Sequence, residues 1–354
     1  MYPRITLDTW KLRQNVQAVL ALCRRHHIDV TGVTKGFCGE PYIAEIFYQE
    51  GVRRFGDSRV KNLEAIQDIP AEKWLIRPPM ACEAEEAVRY ADVSVNSELD
   101  TIRLLNQAAL AQGRTHKVIL MADLGDIREG YTDYDELLDA ALQIEGMDGV
   151  ELYGVGTNLT CFSFVQPTTE KLEQLTSLAE RIEARIGRQL EIISGGNSAT
   201  LDLMLRGGIP ERVNNLRLGE SLLFGRERAR YQYLDGTFQD AFTLQCQIIE
   251  LKFKPSLPWG EIGVDSYGNS PQFTDRGSSR LKAVCALGKQ DFDLETTKPA
   301  DPGVLVLGCS SDHLMLDVTG SVRLFHAGGV LELVPGYFSL MRAMTSPYVE
   351  KGWR

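Results

Sequence analysis

Between residues 9 and 225 the chain alternates eight times between a short β-rich run and a longer amphipathic stretch. The candidate strands end at Thr34, Gly56, Arg77, Asn96, Asp123, Asn158, Ser194 and Leu218, and nearly every one is followed by turn residues and then by a helical pattern. After Asn96, the segment Ser97-Glu98-Leu99-Asp100 has an acidic variant of the capping-box layout and predicts a helix start. From Thr168 to Arg188, Leu172, Leu175, Leu178 and Ile182 recur at three- and four-residue spacing with charges between them, which predicts a helix with one buried stripe. Eight alternations fit a closed barrel better than an open doubly wound sheet, which generally has fewer strands.

Past residue 230 the pattern changes. Phe242–Leu251, Leu281–Leu287, Val304–Leu307, Leu314–Val318 and Val330–Leu333 are β-rich runs separated by glycine, proline and aspartate, with no helical stretches between them. Such runs predict an antiparallel β domain. The fold class is therefore α/β: a (β/α)8 TIM barrel over residues 9–230, followed by a C-terminal antiparallel β domain over 231–354. Residues 1–8 are expected to form a strand that joins the β domain. The boundary is placed near Tyr231 to Thr237, where Asp235-Gly236 signals a turn.

Composition excludes several classes. The 354 residues are 44% hydrophobic and 24% charged, and no run approaches the roughly 18 apolar residues of a membrane span. The start, Met1-Tyr2-Pro3-Arg4, lacks a charged-then-apolar signal pattern, so the expected address is the cytoplasm. The seven cysteines are scattered without a C-x-x-C pair, and the five histidines show no metal spacing, so neither a disulfide framework nor a metal is expected. A net charge of −10 argues against nucleic acid as a partner.

The unusual residues gather where the predicted strands end, which in a barrel is the face that carries chemistry. Lys35 closes the apolar run before Gly36-Phe37-Cys38-Gly39. A lysine is costly to bury unless its charge is lost, and imine formation with an aldehyde removes that charge; the alternative is a lysine that simply reaches solvent. Asn197 and Ser198 follow Gly195-Gly196 and precede a helical run, and Gly219 and Glu220 follow the last strand. Together they suit a phosphate, although Ser198 also has the position of an ordinary helix cap. Arg217 lies within the last strand and points into the barrel, either as the partner of a carboxylate such as Glu220 or Asp57, or as a donor to a ring nitrogen. An amine at one side and a phosphate cradle at the other would hold opposite ends of pyridoxal phosphate.

These residues resemble the fold-type III pyridoxal-phosphate enzymes of the alanine racemase group, over essentially the whole chain. The Lys35 segment, Gly125-Asp126-Ile127-Arg128, Asn197-Ser198, Arg217-Leu218-Gly219 and Phe224-Gly225 stand in the family's order, and Ser266-Tyr267-Gly268, Ser310-Ser311-Asp312-His313 and Gly336-Tyr337 continue it. In wording the chain looks most like the ornithine racemase branch. The resemblance implies a homodimer with shared active sites and a small amino-acid substrate. Lys35 would bind pyridoxal 5'-phosphate and work as one base, with Tyr267 of a second subunit as the other. Arg128 would orient the substrate carboxylate or the cofactor's phenolic oxygen, Ser311 and Asp312 would contact substrate, and Asn197, Ser198, Arg217, Gly219, Glu220 and Tyr337 would hold the cofactor.

Three departures stand out. Phe37-Cys38-Gly39 replaces the segment that usually carries a tyrosine after the lysine. Asn158 stands where a histidine usually neighbours the ring-binding arginine, which changes how Arg217 is held. The Arg217-to-Gly225 spacing is also longer than usual. They point to a substrate other than alanine, with ornithine or a related basic amino acid expected. The alternatives are a racemase of other or broad specificity, a decarboxylase or aldolase on the same scaffold, and a non-catalytic pyridoxal-phosphate carrier.

Overall fold

The computed structural model describes residues 1–264 and 268–353. It divides into two compact units, residues 9–241 and residues 1–8 with 242–354.

In the larger unit, eight parallel strands close a barrel in sequence order: β2 (Asp29–Val33), β3 (Arg54–Asp57), β4 (Glu72–Leu75), β5 (Val93–Asn96), β6 (His116–Met121), β7 (Val150–Gly156), β8 (Ile192–Ser194) and β9 (Asn215–Leu218). Closure comes from β9 returning to β2, with Asn215 opposite Asp29 and Leu218 opposite Gly32. The interior is packed rather than open: Trp74, Val93, Val95, Ile119, Met121, Tyr153 and Ile192 form one buried cluster. Arg54, Lys117 and the Trp74 indole N–H all engage Glu72. The helical stripe predicted from Thr168 is the helix Thr169–Ile186, which buries Leu172, Leu175, Leu178 and Ile182 and is capped by the Thr168 hydroxyl accepting from Lys171 N. The predicted start after Asn96 is also a helix, Leu99–Ala111, but its cap residue is Glu98 and no side chain caps it.

The units part at Ala241/Phe242 rather than near 230. The intervening segment folds back on the barrel's own elements. Asn15 of the helix Thr9–Arg25 donates to Phe238 O at 2.8 Å and accepts from Phe238 N, Trp10 packs on the Phe238 ring, and Leu234 N donates to Gly225 O. Asp235-Gly236 is thus a turn within the barrel unit.

The smaller unit is an antiparallel sheet of β10 (Phe242–Lys254), β11 (Arg280–Ala286), β12 (Thr297–Pro299), β13 (Leu305–Cys309), β14 (His313–Asp317) and β15 (Val330–Pro335), in the order β12-β15-β10-β11-β14-β13. Strand β1 (Arg4–Leu7) adds to it, antiparallel to β10 and parallel to β16 (Glu350–Trp353). Ile5 and Leu7 of β1 are fully buried. Among the described residues no helix is long and apolar enough to cross a membrane.

Candidate active site

Lys35 begins a single 3-10 turn, Lys35–Phe37, just past β2. The turn continues through Cys38 and Gly39, both left-handed, and a Cβ on Gly39 would lie 2.7 Å from the Asn62 backbone oxygen, so only glycine fits there. Polar contacts pin the same turn. The Thr34 hydroxyl donates to Asp57 Oδ2 at 2.6 Å, while Asn62 Nδ2 and Arg59 N donate to Oδ1 at 3.0 and 2.9 Å. Burial lowers the pKa of the Lys35 amine below the usual lysine range; the nearby Cys161 thiol opposes this, Arg128 adds to it, Asp57 opposes it and Arg228 adds to it. Burial raises the Asp57 carboxyl against its three donors and Lys35.

Arg217 enters the barrel from β9, opposite Thr31 of β2. Its guanidinium pairs with neither Glu220 nor Asp57. Nη1 donates to Ser194 Oγ at 2.6 Å and Nη2 to Thr157 O at 2.7 Å. Burial pushes its pKa down to about 10, with Glu129 pulling the other way, so it keeps its charge at neutral pH. Asn158 does not hold it: turned with its oxygen toward Arg128, the Asn158 amide accepts from Nη1 of that residue at 3.2 Å. The Thr157 carbonyl and Ser194 are the groups that support Arg217, and sequence reasoning missed both, although each stands at a strand end already marked as polar.

The expected phosphate cradle is compact. The Ser198 hydroxyl is not the cap of the short helix that follows it, Thr200–Leu205, which has Ala199 at its cap position. Ser198 Oγ instead lies 3.1 Å from Ser221 Oγ and accepts from Ser221 N at 3.3 Å, and all of these groups are buried. Gly219 sits where a Cβ would come within 3.1 Å of Val33 Cβ, so the end of β9 runs close beside the Lys35 strand. Asn197 is engaged: Nδ2 donates to Leu159 O at 2.8 Å and approaches Cys161 Sγ, and Oδ1 accepts from Ala199 N. The Glu220 carboxylate is bonded by Arg226 and has Arg228 at 3.7 Å, so only its backbone N–H is suited to an anion.

Arg128 belongs to the loop after β6. Its Nε and Nη2 both donate to the Glu129 carboxylate. Burial works against the charge on Arg128, but the bonds to Glu129 outweigh it and raise its pKa. The loop is tied to the next one by Asp126, a carboxylate 1% exposed that accepts from Cys161 N, Phe162 N and Ser163 N at 3.0, 2.9 and 3.2 Å. Asp126, Glu129, Cys161 and Ser221 are site residues that sequence reasoning missed; the run of acids around Arg128 was visible, but their partners, more than thirty residues away or folded back on a neighbour, were not.

The rim of the barrel thus brings together Lys35, Arg128, Asn158, Asn197, Ser198, Arg217, Gly219 and Glu220. Ser311, Asp312 and Tyr337 belong to the smaller unit. There the Ser311 hydroxyl donates to Asp312 Oδ2 at 2.7 Å, Asp312 Oδ1 accepts from Gln290 at 2.7 Å, and Tyr337 is buried at the start of the helix Tyr337–Thr345. Tyr267 lies outside the described residues. Among the described residues, no group of three or more His, Cys, Asp or Glu side chains could hold a metal ion.

Comparison with known proteins agrees with this arrangement. Residues 7–227 match the family described as "Alanine racemase, N-terminal domain". The chain is 42% identical over 351 residues to an ornithine racemase of Acetoanaerobium sticklandii, covering 99% of each, and 37% identical to a lysine racemase of Thermotoga maritima, covering 99% of this chain and 98% of the relative. The solved alanine racemase of Clostridium difficile 630 superposes with a TM-score of 0.73 at 16% identity, over 99% of this chain and 95% of that one, which bears on the fold. A barrel with a lysine past its first strand, a trailing antiparallel unit and matches of this extent together show that the chain belongs to the alanine racemase family.

Proposed function

We propose that this protein is a pyridoxal-phosphate-dependent racemase of basic amino acids, interconverting L- and D-ornithine or a close relative such as lysine. The observation that carries the proposal is the Lys35 amine, placed past the end of β2 with its affinity for a proton reduced by burial. The substrate class rests on the relatives named for ornithine and lysine, which align over nearly the whole chain.

The donor set suits the cofactor. Ser198, the backbone at Gly219 and the N–H of Glu220 offer hydrogen bonds to a phosphate, the permanently charged Arg217 suits an unprotonated ring nitrogen, and Lys35 suits the aldehyde. When bound, pyridoxal phosphate makes the Cα proton of an amino acid acidic by spreading the charge left behind. The chain's own residues supply the rest. Lys35 would exchange a proton with the substrate Cα on one face. Burial, which lowers its pKa below the usual lysine range, favours the uncharged amine that such an exchange needs. Tyr267, contributed by the second subunit of a homodimer, is the proposed base for the opposite face, and Arg128 orients the substrate carboxylate. Arg217, held by Ser194 and Thr157 O and charged at neutral pH, would donate a hydrogen bond to the ring nitrogen without giving up its proton, which would leave that nitrogen a weak electron sink.

Incubating the holoenzyme with L-ornithine in deuterated water tests the proposal. Deuterium at Cα with growth of the D enantiomer is expected. Release of carbon dioxide would point to a decarboxylase, and absence of exchange with every common amino acid would point to a carrier.

A further inference from the structure

We propose that Glu129 is a specificity-determining residue: by cancelling the charge of Arg128 at the barrel mouth, it admits a substrate that carries a second ammonium group. This inference rests on the proposed racemase function and concerns how the same site selects its substrate.

The geometry around Arg128 is unusual. Neighbouring residues in regular structure do not face one another, yet here two guanidinium nitrogens of Arg128 meet the carboxylate of the very next residue. The backbone turns sharply to allow it, with Ile127 left-handed at φ 53° and Gly130 at φ 128°. A β-branched residue in that region is strained and persists only where surrounding contacts enforce it. Asp126 does so, through three backbone N–H groups of the neighbouring loop. The pairing is therefore built in.

The carboxylate is also turned inward. The Glu129 side chain is 14% exposed against 39% for Arg128, and its field reaches the buried Arg217. Charges that act on the mouth include Lys35, Arg128, Arg217 and Arg228 on the positive side and Asp57, Asp126 and Glu129 on the negative; of these carboxylates Glu129 alone is hydrogen-bonded to Arg128, and Asp126 is taken up by three backbone N–H groups. A neutral amino acid enters as a zwitterion without net charge. Ornithine or lysine enters with an excess ammonium, which an uncompensated Arg128 would repel. Nη1 of Arg128 meets the neutral Asn158 amide rather than a second carboxylate, and a substrate carboxylate that took the place of that amide would be oriented while the charge of Arg128 stays offset by Glu129.

A mere brace for Arg128 would serve all amino acids equally; a charge filter would not. The test compares the holoenzymes of wild type, Glu129→Gln and Glu129→Asp, each first checked for its visible cofactor band. The KM for ornithine is measured by Cα deuterium exchange, and the inhibition constant of norvaline, which matches ornithine in length but lacks the second amine, is measured by competition. For Glu129→Gln the ornithine KM should rise about tenfold or more with little change in the norvaline constant, and the rise should shrink as salt increases. Glu129→Asp should stay closer to wild type. Parallel losses for both ligands, or no change in either, would overturn the proposal. Should Glu129→Gln fail to fold, Glu129→Ala decides in its place by the same two constants: a salt-sensitive rise in the ornithine KM alone supports the proposal, and parallel losses for both ligands or no change in either overturns it. Failure of the wild type to exchange ornithine or lysine would instead remove the racemase function itself, so the two failures are distinguishable.

Discussion

Replacing Ser194 by alanine removes the hydroxyl that accepts from Nη1 of Arg217, leaving a buried guanidinium with one bond fewer. Hydrogen bonds to charged groups contribute about 1.5–3 kcal/mol, and Arg217 cannot escape by losing its proton near neutrality, so stability should fall by about that much in urea unfolding. Lys35→Ala should abolish the visible absorbance of bound cofactor and lower racemisation about a thousandfold or more, since one proton carrier is gone; retention of both would remove Lys35 from the mechanism. Lys35 and Arg217 were legible in the sequence because a lone cation in an apolar strand is an anomaly that periodicity exposes. Thr157 was not, because it acts through its carbonyl, which every residue possesses. Nor was Ser221, whose role depends on facing Ser198 across two strands.

At the scale of elements, the loops after β6 and β7 act as one piece because the Asp126 carboxylate spans them. Asp126→Ala should speed amide exchange at Cys161, Phe162 and Ser163 and cost about 2–3 kcal/mol of stability, the value of charge-assisted bonds lost from a buried site. Strands β5 and β6 carry a different buried group. His116, 1% exposed with Nε2 2.8 Å from Ser94 Oγ, has its pKa pushed down by burial to about 4, with Arg114 adding to the effect. The folded protein binds fewer protons there than the unfolded chain between pH 4 and about 6.5, so stability is full above that window and declines as pH falls through it. From pH 7 to pH 5 the loss should be about 2 kcal/mol. A His116→Gln variant should lack this part of the acid-side slope in denaturation curves taken at each pH. Barrel strands and long helices were readable from the sequence because each has one dominant period. The short strands β12 and β16 were missed; Thr297-Lys298-Pro299 and Glu350-Lys351-Gly352-Trp353 contain charge, proline or glycine and gain their conformation from pairing with distant strands.

For the whole molecule, the proposed homodimer has a direct consequence for mixing experiments. If Lys35 of one subunit works with Tyr267 of the other, Lys35→Ala and Tyr267→Phe proteins, each inactive alone, should regain roughly a quarter of wild-type activity when dissociated and reassembled together, because half the dimers are hybrids with one intact site. No recovery would place both bases within one chain. The class of fold was legible because it follows from counting alternations, whereas the division at Ala241/Phe242 was not, since Asn15 and Phe238 meet across more than two hundred residues. The same long reach governs β1. Its residues lie between β10 and β16, yet the entire barrel segment is made between β1 and the first of these partners, and the other strands of the sheet before the second. Until β10 is made the apolar Ile5 and Leu7 have no strand to pair with, so the nascent chain must carry an orphaned strand while the whole barrel segment is synthesised, and β1 gains its second neighbour only when β16 follows.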